Sequence, residues 1–109
     1  MVYLSYFNNP RVKKSKRNKY SIALYQFVEM PKASELLVPV RLFKKYKNSE
    51  ISFEELCVQY YLLVLNRLNP IEIGEKYSEA ILCCHEVKKC HRVMIAHWLN
   101  ENGIDAKEY

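Results

Sequence analysis

Within ten residues, Cys83 to Arg92, the chain gathers three thiols (Cys83, Cys84 and Cys90), two imidazoles (His85 and His91), the Glu86 carboxylate and the Arg92 guanidinium. These are the groups that act as nucleophiles, carry protons and hold anions or metals. An apolar run, Ala80-Ile81-Leu82, precedes them, and Val93-Met94-Ile95-Ala96 continues with helical periodicity after them. The stretch therefore reads as a strand, a loop and a helix start. Free backbone N–H groups and the positive dipole end at a helix start attract anions and lower the pKa of a thiol. Cys90, His91 and Arg92 fall in that first turn, just after Lys88 and Lys89. Cys90 or His91 is then the catalytic candidate, Arg92 a planar fork for phosphate or carboxylate, and Glu86 a hydrogen-bonding orienter.

Other chemistries compete for the same side chains. A metal site would use Cys84, His85, Cys90 and His91, but zinc usually recruits spaced ligand pairs and no second pair occurs elsewhere. No metal and no cofactor are expected. A phosphatase-like or rhodanese-like cradle needs a strand-end cysteine followed, after five residues, by an arginine. Six positions beyond Cys83 stands Lys89, and six beyond Cys84 stands Cys90, so that signature fails. In a purely structural reading Cys83 and Cys84 pack in the core, Cys90 is buried at the helix start and Arg92 ties down the neighbouring loop. Adjacent strand residues point to opposite faces, so only one of Cys83 and Cys84 can face a site.

The elements that must position this turn follow from patterning. Val2 to Phe7 reads as a first strand ended by Asn8-Asn9-Pro10, and Tyr20 to Phe27 as a second strand that Pro31 closes off. Leu36 to Val40, broken by Pro39, reads as an extended crossing segment or an edge strand. Arg41 to Lys47 is a short basic helix with Leu42, Phe43 and Tyr46 inward. Ser52 with Glu55 makes a capping box, behind which Phe53, Leu56, Cys57, Tyr60, Leu63, Val64 and Leu68 recur at helical spacing. That helix ends near Asn69-Pro70, a short one spans Ile71 to Tyr77, and a strand runs from Ala80 to Cys84. The last helix runs from about Cys90 to Asn102, with Gly103 as its cap and Met94 and Trp98 on its core face. His97, nearly two turns in, reads as a surface or half-buried residue. The expected fold is α/β, a small mostly parallel sheet with flanking helices in a single compact domain over residues 1–109. There are no internal repeats, and two glycines are too few for a glycine-rich phosphate loop.

Composition narrows the classes. At 109 residues, half of them apolar and nine of them tyrosine, the chain has a globular composition rather than a disordered one. The apolar stretch within Leu56 to Leu65 is interrupted by Gln59 and falls short of the roughly 20 residues a membrane span needs. Met1 to Leu4 shows neither a basic start nor a cleavage site. The expectation is a cytoplasmic protein with reduced thiols and no membrane association. Charge is uneven: residues 1–50 hold eleven Lys or Arg against three Glu, while residues 51–109 hold six against nine acidic residues. Arg11, Lys13, Lys14, Lys16, Arg17 and Lys19 form a basic loop at 10–19 that would attract phosphates or an acidic partner, or simply stay solvated. It contains no aromatic residue before Tyr20, so base stacking there has no support.

The tail Ala80-Ile81-Leu82-Cys83-Cys84-His85-Glu86, followed by Cys90-His91-Arg92 and the helix to Trp98-Leu99, resembles the domain-of-unknown-function family numbered 488. Its members end in a strand leading to Cys-Tyr-Glu and then a Cys-His-Arg helix continuing to Trp-Leu. Val2-Tyr3-Leu4-Ser5-Tyr6-Phe7 resembles the family's opening strand, Leu37-Val38-Pro39 its Leu-Ala-Pro, and Phe43-Lys44-Lys45-Tyr46-Lys47 has a counterpart as well. The resemblance implies that Cys83 is the strand-end cysteine, that Cys90-His91-Arg92 is the family triplet, and that Tyr3, Ser5 and Tyr6 lie near the same pocket. Cys84-His85 stands where members have Tyr-Glu, displacing Glu86 by one, and the loop is one residue shorter and lacks the usual proline, which marks a divergent member. The family carries no settled activity. Two functions follow as expectations. One is a phosphate-bearing ligand, nucleotide or nucleic acid, bound at a mouth formed by Ser5, Tyr6, His91 and Arg92 with Cys83 and Glu86. The other is a non-enzymatic regulator or inhibitor that binds an acidic protein partner through its basic loop.

Overall fold

The computed structural model describes residues 1–25 and 29–109. Its centre is a parallel sheet in the order β2-β3-β1-β4. The strands are Val2–Tyr6 (β1), Lys19–Ser21 (β2), Ile81–Cys84 (β3) and Ala106–Glu108 (β4). Parallel neighbours require crossovers, and each is helical. Pro10–Lys14 (α1) joins β1 to β2, while Val40–Lys47 (α2), Phe53–Leu63 (α3) and Pro70–Lys76 (α4) join β2 to β3. Arg92–Glu101 (α5) joins β3 to β4. The α/β expectation with a small parallel sheet and flanking helices holds.

Alternation along β1 and β3 divides the core into two faces. Val2, Leu4, Leu82, Cys84 and Ala106 pack with Leu42, Leu56, Tyr60, Ile73, Ile95, Trp98 and Leu99 from α2 to α5 in the main core. Phe7, Ile81 and Cys83 turn to the other face, where Val12 of α1 and Ala23 cover them. All four residues of β3 are buried, as its continuous apolar run requires of a strand covered on both faces.

Local signals act as the sequence foretells. The Ser52 side chain accepts the Glu55 backbone N–H at 3.1 Å and starts α3. Asn69 does the same for Ile71 and Glu72 ahead of Pro70, and Gly103 takes φ +81° after α5. Three expectations need correction and one open alternative is decided. Among the described residues the second strand spans Lys19–Ser21, paired with Ile81 to Cys83 of β3, and the Ile22 N–H donates to the Cys83 carbonyl at 2.9 Å. Ile22 and Ala23 are buried without being strand, while Gln26 and Phe27 lie outside the described residues. Of the two alternatives for Leu36 to Val40 the extended crossing segment holds, with Leu37 at φ −71°, ψ 148° after a 3-10 turn at Ser34–Leu36 and α2 starting at Val40. The basic stretch is half helix, because Asn9 caps it and Pro10 sits at its first position. Finally, α5 begins at Arg92, leaving Cys90 in the turn before it, and the chain goes on from Gly103 to add β4 at the sheet edge.

Candidate functional site

In open parallel sheets the strands' carboxyl ends face a crevice bounded by the loops that follow them. Here that edge holds a cavity of about 230 Å³. Cys84, Cys90 and His91 form its inner part; Ala23 to Tyr25 follow β2, His85, Glu86 and Lys89 belong to the loop after β3, and Phe43, Tyr46 and Lys47 come from α2. The walls are thus largely aromatic and aliphatic, with Lys47 and Lys89 exposed at the margin. Lys89 has φ +50°, the left-handed region, which reverses the chain into the helix start.

The sulfur and oxygen ligand atoms of Cys84, Cys90 and Glu86 all lie within 4.8 Å of one another. Cys90 is 3.6 Å from His91 Nδ1. Cys84 Sγ lies 3.4 Å from the Glu86 carbonyl and 3.7 Å from the Ser5 carbonyl, both acceptors that favour its protonated form. Cys90 is pulled down to about 4 by the hydrogen bond from Cys84, which with His91 and the Arg92 backbone N–H outweighs its burial. Cys84 is pushed up by that same bond to Cys90 and by burial, against the pull of Arg92. His91 is 7 % exposed, its ring stands edge-on to Tyr60, and its Nε2 is buried with no hydrogen-bond partner among the described residues. A buried polar nitrogen without a partner forfeits the bonds it had in water, which makes His91 the least satisfied group here.

Arg92 is spent on structure. Its Nε donates to Glu108 at 2.7 Å, one terminal nitrogen to Cys84 Sγ at 2.8 Å and the Glu86 carbonyl at 2.6 Å, and the other to the Val87 carbonyl at 2.7 Å. The guanidinium, 5 % exposed, pins the loop to the helix start and to β4. This is the loop-tying role of the structural reading, and it leaves no planar fork for a ligand.

The residues grouped by sequence separate across the sheet. Register pairs Ser5 and Ser21 with Cys83 in one row, on the α1 face, while Tyr6 pairs with Cys84. Cys83 is therefore turned away from the cavity, and burial pushes its thiol up to about 11. Ser5 is buried and accepts from Asn9 Nδ2 at 2.9 Å. Tyr6 is half-buried, its ring 5.9 Å from the Arg92 guanidinium. Of the two strand-end cysteines, the one at the cavity is Cys84, which alternation allowed but could not select. Glu86 borders the cavity, 3.9 Å from Lys47. Tyr25, Phe43, Tyr46 and Lys47 were missed as site residues; the interleaved aromatic and basic residues of α2 were the available signal.

The basic segment belongs to the α1 face. Arg11 donates to the Tyr109 carbonyl and lies over its ring, and Arg17 pairs with Glu79 at 3.0 Å and covers Tyr3. Lys13, Lys14 and Lys16 are exposed, and Lys19 is half-buried on β2. His97 is exposed and pairs with Glu101 on its own helix. Among the described residues no helix is long and apolar enough to cross a membrane. No family model, curated protein or solved structure matches the chain.

Proposed function

We propose that the domain binds a small phosphate-bearing ligand, a nucleotide or the end of a nucleic acid, in the cavity at the carboxyl edge of the sheet, and that it does so in the cytoplasm as a divergent member of the family it resembles. Cys90 and His91 are the reacting groups: Cys90 enters as the thiolate, and His91 exchanges a proton through Nε2. The observation that carries this reading is the buried, unpartnered Nε2 of His91 beside a cavity walled by Tyr25, Phe43 and Tyr46. A planar ring packs against such walls, and a ligand atom bonded to Nε2 satisfies it. Lys47 and Lys89 at the margin supply point charges for a phosphate, the part that Arg92 cannot play from its buried position.

Thermal unfolding in the presence of nucleoside mono-, di- and triphosphates tests this. Ligand at about a hundredfold over Kd adds about 2.7 kcal/mol, which raises Tm by several degrees in a domain of this size. Replacing Lys47 and Lys89 together by Gln removes most of the rise, and replacing the six basic residues between Arg11 and Lys19 by Ser or Gln leaves it. The reverse pattern moves the phosphate site to the basic segment, whose exposed Lys13, Lys14 and Lys16 on the opposite face also suit the second reading, a regulator that meets an acidic protein partner. No rise with any nucleotide removes the first reading.

A further inference from the structure

We propose that Cys84 and Cys90 form a peroxide-reactive dithiol that closes to an intramolecular disulfide, with Cys90 the attacking sulfur and Cys84 the resolving one. The two sulfurs lie within 4.8 Å of each other, both border the cavity, and both are free thiols. A disulfide needs the sulfurs about 2 Å apart. Both cysteines belong to the main core, and the loop between them is tied by Arg92 to the Glu86 and Val87 carbonyls, so closing the gap requires the Cys84 sulfur to leave its bond to Arg92. Cys90 stands in the turn just before α5 with His91 Nδ1 3.6 Å away, a setting that can stabilise a thiolate. Cys84 borders the Ser5 and Glu86 carbonyls, which favour its protonated form, and accepts from Arg92 at 2.8 Å, which favours the thiolate once its proton is given up.

The other two cysteines lack this arrangement. Cys83 points to the far face of the sheet and packs with Phe7, Val12 and Ile81. Cys57 is buried on α3, and burial there raises its thiol.

The oxidant is a hydroperoxide small enough to enter the cavity. The Cys90 thiolate attacks one peroxide oxygen, the O–O bond breaks, and the departing alkoxide or hydroxide takes a proton from water. Cys90 is now a sulfenic acid. The Cys84 sulfur then attacks the Cys90 sulfur, the S–O bond breaks, and the hydroxyl leaves with the Cys84 proton as water while the S–S bond forms. Two electrons pass from the dithiol to the peroxide, and an external thiol such as glutathione reverses the change. The reaction needs access to the cavity and no bound nucleotide, so it stands or falls apart from the ligand-binding reading.

Reduced full-length protein is treated with stoichiometric hydrogen peroxide, and its thiols and intact mass are followed. The expected result is loss of two of the four thiols, a mass lower by two hydrogens and a Cys84–Cys90 cross-link on peptide mapping. The Cys57→Ser and Cys83→Ser variants do the same. In Cys84→Ser, Cys90 accumulates as a sulfenic acid that dimedone captures, and Cys84→Ala checks that the result does not depend on the serine hydroxyl. Retention of all four thiols overturns the proposal, as does a cross-link from Cys90 to Cys57. A protein that carries one equivalent of zinc and keeps both thiols against peroxide overturns it too. Disulfide formation without any nucleotide-induced rise in Tm removes only the ligand reading, and a nucleotide-induced rise with all thiols retained removes only the dithiol.

Discussion

Cys90 is lowered and Cys84 raised by their mutual interaction, and the two shifts make stability depend on pH. Cys90 is lowered from its ordinary 9.0 to about 4, so over that interval the folded chain binds fewer protons than the unfolded one. Its contribution is complete above the unfolded thiol value and is lost as pH falls through the folded one. Cys84 is raised, so its contribution is present below the ordinary thiol range and declines above it. The pair therefore favours a mildly alkaline maximum, against a field that includes His91, Arg92, Glu86, and the nearby Cys57 and Tyr60. Measured between pH 5 and 8, Tm should rise with pH in the native chain and rise less steeply in Cys90→Ser. Iodoacetamide should modify Cys90 at pH 6 nearly as fast as at pH 8, whereas an ordinary thiol loses about a hundredfold over two units below its pKa. Equal slopes for the two proteins, or an ordinary alkylation profile, would remove the thiolate from Cys90.

At the scale of elements, the turn from β3 to α5 keeps its shape through Arg92. One side chain joins the β3 sulfur, two loop carbonyls and Glu108 of β4. Removing it leaves the sulfur and the loop carbonyls unsatisfied, at a cost of about 1 to 3 kcal/mol, while Glu108, 59 % exposed, returns to solvent. Arg92→Ala should lose that much in urea unfolding and lose amide protection across residues 85–91, and Arg92→Lys should recover little, since an ammonium cannot reproduce the planar fork. A loss below about 1 kcal/mol would return Arg92 to the role of a solvent-facing ligand fork. The capping box at Ser52 and the Asn69-Pro70 stop were legible because such signals act within one turn of chain. β4 was not: Asp105, Lys107 and Glu108 are polar, and only pairing with β1 makes Ala106–Glu108 a strand.

Across the whole molecule, stability depends on the main core between the sheet and α2 to α5. Trp98 lies 5 % exposed within it, and Tyr60, fully buried beside it, satisfies its hydroxyl on the Leu36 carbonyl at 2.8 Å. Trp98→Ala should cost about 3 to 5 kcal/mol, a large share of the roughly 5 to 15 kcal/mol usual for a domain. Chemical denaturation should show the loss as a lower midpoint with little change in slope, and a change below about 1 kcal/mol would place the indole outside the core. Activity lost in that variant would therefore report on folding. The sheet also separates two chemistries, with the cavity at its carboxyl edge on the main-core side and the exposed lysines of the basic segment on the α1 face. Charge gathered within nine residues of chain thus does not add to the field at Cys90 as simple sequence proximity would suggest.

By itself the sequence determined the α/β class, the central helix starts and stops, and the turn on which the reactive side chains stand, because capping, apolar periodicity and strand alternation are local properties. Alternation also established that Cys83 and Cys84 face opposite ways. Which of them faces the cavity depends on which side of the sheet α2 to α5 cover, and that is a matter of packing between distant segments. Tertiary structure alone also brought Phe43, Tyr46 and Lys47 beside Cys90 and closed Arg92 onto Glu108, two unions formed by chain crossovers that no local pattern encodes.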